Sequence, residues 1–157
     1  MVSFARLFLR FFVILLGFSL ASLAAGFTYA ILTRLVRPED FGAVSDIELT
    51  VTLMIGVVGI SSLIARAALF PALMLIGVFE ILRLRDWLSH ALAGAGLALV
   101  LSLSATGRGD AFAAALTAAH VACGIVAATV YWLVSGHRAG RWLPSEIKPR
   151  PEGHPPL

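Results

Sequence analysis

Four long apolar segments follow one another along this chain, and they restrict its fold more than any other feature. A helix needs about 20 consecutive apolar residues to cross the hydrocarbon core of a membrane. Each segment reaches that length, and the short linkers between the later segments favour antiparallel neighbours. We therefore predict an all-α integral membrane bundle of four transmembrane helices in up-down order, with spans at about 11–33, 49–82, 87–107 and 111–136.

The composition agrees with a chain that is covered by lipid. Of its 157 residues, 59% are hydrophobic and 13% are charged, whereas soluble domains are about 45–50% apolar and about 25% charged. A soluble fold needs a polar exterior that this chain does not supply. The basic residues are scattered rather than clustered on one helix face, so we expect no nucleic-acid partner. The single cysteine, Cys123, excludes an intrachain disulfide.

The first segment has a second interpretation as a secretory signal peptide. Arg6 and Arg10 precede the apolar run, and Ser-Leu-Ala at 22–24, with small residues at its first and third positions, resembles a cleavage site. The run continues to Thr33, which is too long for an ordinary signal core, so we favour a retained membrane span. Cleavage would leave three spans in the same orientation.

The second segment is long for a single span. Ser45 and Glu48 have the spacing of a capping box, which marks a helix start. The apolar stretch that follows is interrupted only by Arg66, and one residue cannot form a turn between two spans. The stretch 49–79 would measure about 47 Å as a helix, against a hydrocarbon core of about 30 Å. We expect this helix to tilt, protrude or kink, with Pro71 as the kink point.

Capping residues mark the ends of the last two helices. Asp86 and Asp110 are well placed as N-caps, and Gly136 as a C-terminal stop. Beyond residue 142 the chain holds five prolines and no apolar face. We therefore divide it into a transmembrane domain, 1–142, and a disordered tail, 143–157.

The distribution of lysine and arginine predicts the orientation. Eight of these residues fall on one side of the predicted bundle and three on the other. The positive-inside rule places the eight, and both termini, in the cytoplasm of a bacterium, with the bundle in its inner membrane. The tryptophans, whose amphipathic rings settle at interfaces, agree. The eight are Arg6, Arg10, Arg83, Arg85, Arg138, Arg141, Lys148 and Arg150; the three are Arg34, Arg37 and Arg108; the tryptophans are Trp87, Trp132 and Trp142.

Two charged residues in the second segment are candidate functional groups. Arg66 lies near mid-helix, where a charge costs about 2.5–3.5 kcal/mol unless it finds a partner or water. It is either an ion, headgroup or proton site, or a side chain that reaches the outer interface because the helix protrudes, and we favour the second. Glu80 precedes Arg83 by one helical turn, which favours an interfacial ion pair over a proton relay.

The histidines raise the question of a ligand site, and His120 is the third candidate intramembrane polar residue. His90 and His137 are predicted at one depth, where two facing imidazoles can bind a b-type haem. His137 follows Gly136 at the helix end, however, so its orientation is poorly fixed. His120 lies near the midplane of the fourth helix, where one interhelical hydrogen bond is the simpler expectation.

Small residues recur at four-residue spacing. In lipid, small side chains let helix backbones approach closely. The repeats therefore predict packing within the bundle, with a dimer interface as the alternative. They are Gly17, Ala21 and Ala25 in the first helix, Ala91, Gly94, Ala95 and Ala98 in the third, and Ala114, Ala118, Ala122, Gly124 and Ala128 in the fourth.

The chain contains three distinctive stretches, at 4–26, 80–94 and 130–142, the last of which reads VYWLVSGHRAGRW. Together they resemble small four-helix inner-membrane proteins of bacteria. That family has no assigned activity, so the resemblance implies a topology and no site. Two other four-helix families do not fit, because small multidrug exporters carry a glutamate in the first helix, which 11–33 lacks, and the polar and glycine signature of fluoride channels is missing.

These observations favour a non-enzymatic membrane protein that acts as an accessory, assembly or interaction subunit. No pattern indicates a catalytic, cofactor-binding or metal site. The expected partners are the lipid bilayer and either a second copy of the chain or a larger membrane complex. The alternative is a small oligomeric transporter or channel with Arg66, Glu80 and His120 inside the bundle, and a third hypothesis is a haem- or quinone-binding redox subunit. A transporter needs Arg66 and His120 to face one cavity, whereas an accessory subunit needs a dry interior and a stripe of small residues on its outer surface.

Overall fold

The structure is a computed structural model that describes residues 4–35, 37, 45–106 and 111–140. These residues form four α-helices, each long and apolar enough to cross a membrane, and no strand. The predicted all-α membrane bundle is therefore confirmed. The helices are α1, Phe4–Leu32; α2, Asp46–Leu82; α3, Trp87–Thr106; and α4, Ala111–Val134, which a short 3₁₀ helix follows at Gly136–Arg138.

Two of the predicted N-caps are formed. The hydroxyl of Ser45 accepts the amide of Glu48 at 3.3 Å at the start of α2. The carboxylate of Asp86 accepts the amide of Ser89 at 2.8 Å at the start of α3. Each bond satisfies one of the amides that a helix start leaves without an intrahelical partner. Asp110, the third predicted N-cap, lies outside the described residues, as does the tail 143–157.

The C-terminal ends of α2 and α4 have local causes. α2 ends where Arg83 takes a left-handed conformation, with φ 56°, and donates its amide to the carbonyl of Phe79. α4 ends at Val134, just before the predicted stop at Gly136. Both ends therefore lie within two residues of the positions that the sequence indicates.

The helices pack in the spatial order α2, α1, α4, α3. α4 packs closely against both α3 and α1, whereas α2 rests on α1 and barely touches α3. The four helices are therefore arranged so that an opening remains between the two outer helices, α2 and α3. Helix α2 buries the smallest share of its surface of the four.

Glycines lie where helices cross most closely. A Cβ atom added to Gly94 of α3 would lie 2.4 Å from the carbonyl oxygen of Gly124 of α4, and the reverse substitution would be equally close. On α1, a Cβ at Gly17 would meet Tyr131, and one at Gly26 would meet Ser61 of α2. The predicted role of small residues in packing within the bundle is confirmed at Gly17, Gly94 and Gly124, whereas Gly26 lies outside the predicted repeats.

Helix α2 is one continuous helix through Pro71, as predicted, and it is longer than its neighbours. It has 37 residues, which measure about 55 Å at 1.5 Å per residue. Leu35, just beyond α1, lies opposite Gly56, so the part of α2 before Gly56 extends past the end of α1. We call residues 46–55 the α2 overhang. Several of its apolar side chains are 50 to 78% exposed, namely Ile47, Val51, Met54 and Ile55.

Candidate functional site

A buried ion pair lies at the end of the bundle where α1 and α3 begin, which we call the Glu80 end. Glu80, in the last turn of α2, is 6% exposed. Arg10 of α1 donates to its Oε1 through Nε, at 3.0 Å, and through Nη2. Glu80 Oε2 accepts the amide of Gly140 at 2.8 Å. Both carboxylate oxygens are therefore engaged, by groups from opposite ends of the sequence.

The ion pair also holds the chain beyond α4, residues 135–140, which we call the C-terminal segment. Arg10 Nη2 donates to the carbonyl of Ser135 at 3.1 Å. Arg85 Nε donates to the carbonyl of Ala139 at 2.8 Å. Gly140 has φ +69°, and a Cβ there would lie 2.5 Å from Cγ of Arg83. The C-terminal segment is thus fixed against α1 and α2 by charged hydrogen bonds and close packing.

An ion pair was predicted at Glu80, with Arg83 as the partner. The partner in the structure is Arg10, which lies 70 residues away and on another helix. The side chain of Arg83 packs against Gly140. The left-handed backbone at Arg83 ends α2 at that residue, and the ion pair that the structure records joins α2 to α1.

His90 and His137 do not form a haem site. The ring of His90 is 3% exposed and donates from Nδ1 to the carbonyl of Asp86 at 2.9 Å. Its Nε2 has no hydrogen-bond partner among the described residues, and a Cβ added to Gly136 would lie 2.6 Å from that atom. His137 donates from Nδ1 to the carbonyl of Trp132 and accepts Arg138 Nε at Nε2, both at 3.1 Å. The lone pair on His90 Nε2 is buried against Gly136, and both ring nitrogens of His137 are hydrogen-bonded, so neither ring is accessible to a haem iron.

His120 lies in a polar cluster that joins three helices. Its Nδ1 lies 3.1 Å from the hydroxyl of Ser102 on α3, and that hydroxyl lies 3.1 Å from the hydroxyl of Thr117. The ring of Tyr29 on α1 stacks on the imidazole, with centroids 5.3 Å apart and planes 21° apart. The interhelical hydrogen bond predicted for His120 is therefore confirmed. Its Nε2 makes no hydrogen bond to any described residue.

A cavity of about 390 Å³ occupies the opening between α2 and α3, and all four helices line it. The rings of His90 and His120 are both in its wall. Its length is about 18 Å, taken from His90 to Ser102 along α3 at 1.5 Å per residue. The lining that the structure describes is mainly alanine, leucine and isoleucine and contains no Lys, Arg, Asp or Glu.

Arg66 does not share this cavity. Its side chain is exposed on α2, outside the cavity lining. It makes no hydrogen bond or ion pair with any residue in the described part of the chain. The three candidates thus separate: Glu80 is in an ion pair at one end, His120 is in the cavity wall, and Arg66 is on the outer surface.

Several residues of these sites were not predicted as site residues, among them Arg10, Tyr29 and Ser102. Arg10 had a signal, because a cation at the edge of an apolar run needs either the interface or a carboxylate partner. Tyr29 and Ser102 had none, since hydroxyl-bearing residues are common in apolar helices. Their roles depend on which helix faces they share with His120.

The fold and these contacts define a multi-pass transmembrane helix bundle that has a charged polar cluster at one end and an uncharged cavity inside. Comparison of the chain with family models, with curated proteins and with solved structures gives no match.

Proposed function

We propose that this chain is a non-enzymatic accessory, assembly or interaction subunit of a bacterial inner membrane, and that it binds a second membrane protein through α2. The observation that carries the proposal is the α2 overhang. A helix of this length exceeds the hydrocarbon core, and even a tilt of 40° would leave it spanning about 42 Å against about 30 Å. The exposed apolar side chains of the overhang then lie beyond the hydrocarbon core, in the headgroup layer or in water, unless a partner covers them.

Helix α2 is also the helix best placed to meet a partner. It has only α1 as a close neighbour, whereas α4 lies between two helices. Its outer surface carries Arg66, a cation without a partner among the described residues. A carboxylate on a second protein would satisfy that charge at low dielectric.

The proposed orientation has both termini in the cytoplasm. Arg10, Arg85 and Arg138 lie at the Glu80 end, with the N-terminal end of α1 and the C-terminal end of α4. The positive-inside rule assigns that end to the cytoplasm. The α2 overhang then projects on the outer side of the membrane.

A transporter is less well supported. Its polar path would have to pass between Arg66 and His120, but only His120 lines the cavity. An uncharged apolar lining offers little to replace the hydration shell of an ion.

The proposal can be tested by site-specific photo-crosslinking in native membranes. A photoreactive residue replaces Met54 in the overhang, and the matched control replaces Leu92 of α3; these positions are 62% and 63% exposed. We expect a discrete protein adduct from position 54 and none from position 92. An adduct at twice the chain mass of 16.7 kDa identifies a second copy, and any other mass a different protein. Crosslinks to lipid alone at position 54 would refute the proposal.

A further inference from the structure

The cavity between α2 and α3 has the properties of a small-molecule site. Its volume of about 390 Å³ falls within the roughly 300–1,000 Å³ of ligand pockets, which combine apolar walls with a few polar groups. The walls here are apolar, and His120 supplies a polar group whose Nε2 makes no hydrogen bond to the described residues. The opening faces the gap between the two outer helices, where a molecule dissolved in the bilayer can enter.

His120 is held in a fixed position for such a ligand. Ser102 binds its Nδ1, and Tyr29 stacks on one face of its ring. Only the Nε2 edge is left for a further hydrogen bond. Fixing the ring in advance reduces the ordering that ligand binding requires.

The depth of His120 excludes charged polar groups. It lies about 21 Å from Val134 at the Glu80 end of α4, well inside a hydrocarbon core of about 30 Å. A phosphate or carboxylate at that depth would be desolvated, and the described lining holds no cation to pair with it. The polar group that meets Nε2 is therefore neutral.

The hydroxyls beside His120 define the chemistry further. If Ser102 donates to Nδ1, then Nε2 carries the proton and donates to a carbonyl. If Nδ1 donates to Ser102, which then donates to Thr117, Nε2 accepts from a hydroxyl. Because the 3.1 Å contacts of Ser102 allow both directions, the site accommodates a neutral ring in its carbonyl or its hydroxyl form.

We propose that the cavity binds a membrane-soluble quinone, with its ring oxygen on Nε2 of His120 and its apolar tail along the alanine-rich walls toward His90. This assignment is independent of the proposed partner on α2. It concerns binding alone.

The test measures binding of a decyl-benzoquinone to the purified protein in lipid nanodiscs, with decylbenzene as the probe that lacks the oxygens. We expect saturable quinone binding and binding of decylbenzene that is about tenfold weaker, the loss typical of one or two hydrogen bonds. Nitrogen NMR of labelled histidine should show a shift at Nε2 of His120 when the quinone is added.

Two variants at His120 separate ligand binding from structure. His120→Asn keeps a group at the position of Nδ1 for Ser102 but removes Nε2, so it should lose about tenfold in quinone affinity. His120→Gln keeps a group near Nε2 and should lose less. His137→Asn, outside the cavity, should have no effect. Ala68→Phe fills the cavity from α2 and should abolish binding of both probes.

Three results would overturn the assignment. Equal binding of the two probes would mean that the cavity takes any apolar chain. Unchanged quinone affinity in a folded His120→Asn protein would remove the histidine from the site. A co-purified phospholipid that the quinone does not displace would make the occupant a bilayer acyl chain.

Discussion

Glu80 and Arg10 are paired across 70 residues of sequence, and neither side chain is more than 12% exposed. The carboxylate also holds Gly140, and the guanidinium also holds Ser135. One ion pair thus joins α1, α2 and the C-terminal segment.

Removal of one partner of this pair should be strongly destabilising. Arg10→Leu leaves the Glu80 carboxylate buried without its cation, and such losses cost about 3–5 kcal/mol of unfolding free energy. Glu80→Leu should have a similar cost. The double variant Arg10→Leu/Glu80→Leu should lose clearly less than the sum, because no buried charge is left alone. Unfolding in micelles measures all three; additive losses would show that the pair does not interact.

The closest helix crossing should tolerate no side chain. Gly94→Ala introduces a methyl group 2.4 Å from the backbone oxygen of Gly124, so α3 and α4 must move apart, at a cost of about 1–3 kcal/mol. Gly96→Ala is the matched control, since nothing lies within 4 Å of a Cβ there and alanine is the better helix former by about 0.5–1 kcal/mol. Thermal midpoints in detergent should move in opposite directions. Similar midpoints would contradict the close crossing.

Arg66→Leu should leave the purified protein as stable as its parent, or slightly more stable. The guanidinium is exposed and makes no hydrogen bond or ion pair with the described residues, so its loss leaves no buried partner without a bond. Any gain is bounded by the insertion cost of about 2.5–3.5 kcal/mol. The measurement is the thermal midpoint in detergent. A clear drop would reveal an internal partner for Arg66 and favour a polar path through the bundle.

The N-cap of α3 should make stability depend on acid pH. The hydroxyl and the amide of Ser89 both donate to the carboxylate of Asp86 and hold its pKa below the ordinary value of 3.8. The pKa of Asp86 is lower in the folded than in the unfolded protein, so the ionised carboxylate stabilises the fold fully above pH 3.8. This stabilisation is lost as the pH falls through the folded-state pKa of Asp86.

Asp86→Asn keeps the cap but does not titrate, so it provides the control. The difference in thermal midpoint between parent and Asp86→Asn should be positive at neutral pH and should shrink in acid. Every other ionisable group is common to both proteins, so its contribution cancels from the difference. Ser89→Ala should reduce the pH dependence. A difference in thermal midpoint that does not change between neutral and acid pH would mean that the hydrogen bonds from Ser89 do not stabilise the ionised carboxylate of Asp86.

The C-terminal segment should be needed for stability, and the tail should not. A chain that ends before Ser135 loses the hydrogen bonds from Arg10 and to Glu80, so its thermal midpoint should fall well below that of the parent. Deletion of 144–157, which is proline-rich and has no apolar face, should leave membrane insertion and detergent stability unchanged. A large loss from the shorter deletion would show that the tail packs against the bundle.

The elements that depend on local sequence could be predicted. The capping residues Ser45 and Asp86 and the stop near Gly136 act within one helical turn, so their residue types are sufficient evidence. The continuity of α2 followed from the absence of any turn-forming residues around Arg66. Four apolar segments left no alternative to a helical membrane bundle.

The contacts between helices could not be predicted in the same way. The partner of Glu80 was expected one turn away at Arg83, because i, i+3 pairs can be seen in sequence whereas a pair across 70 residues requires knowledge of helix order. That Arg66 and His120 lie apart, and that His120 meets Tyr29, likewise depends on the rotation of each helix about its axis. A single sequence constrains these rotations only weakly when every face is apolar.

The contact between Arg10 and the carbonyl of Ser135 spans 125 residues, and this has a consequence during synthesis. The first helix enters the membrane with an arginine whose acceptors include a carbonyl that is translated 125 residues later. A nascent chain that stops short of Ser135 lacks this acceptor, so Arg10 keeps an unused donor at the membrane boundary. Completion of the last helix is therefore coupled to the hydrogen bonding of the first, because the bond from Arg10 forms only once α4 and Ser135 are in place.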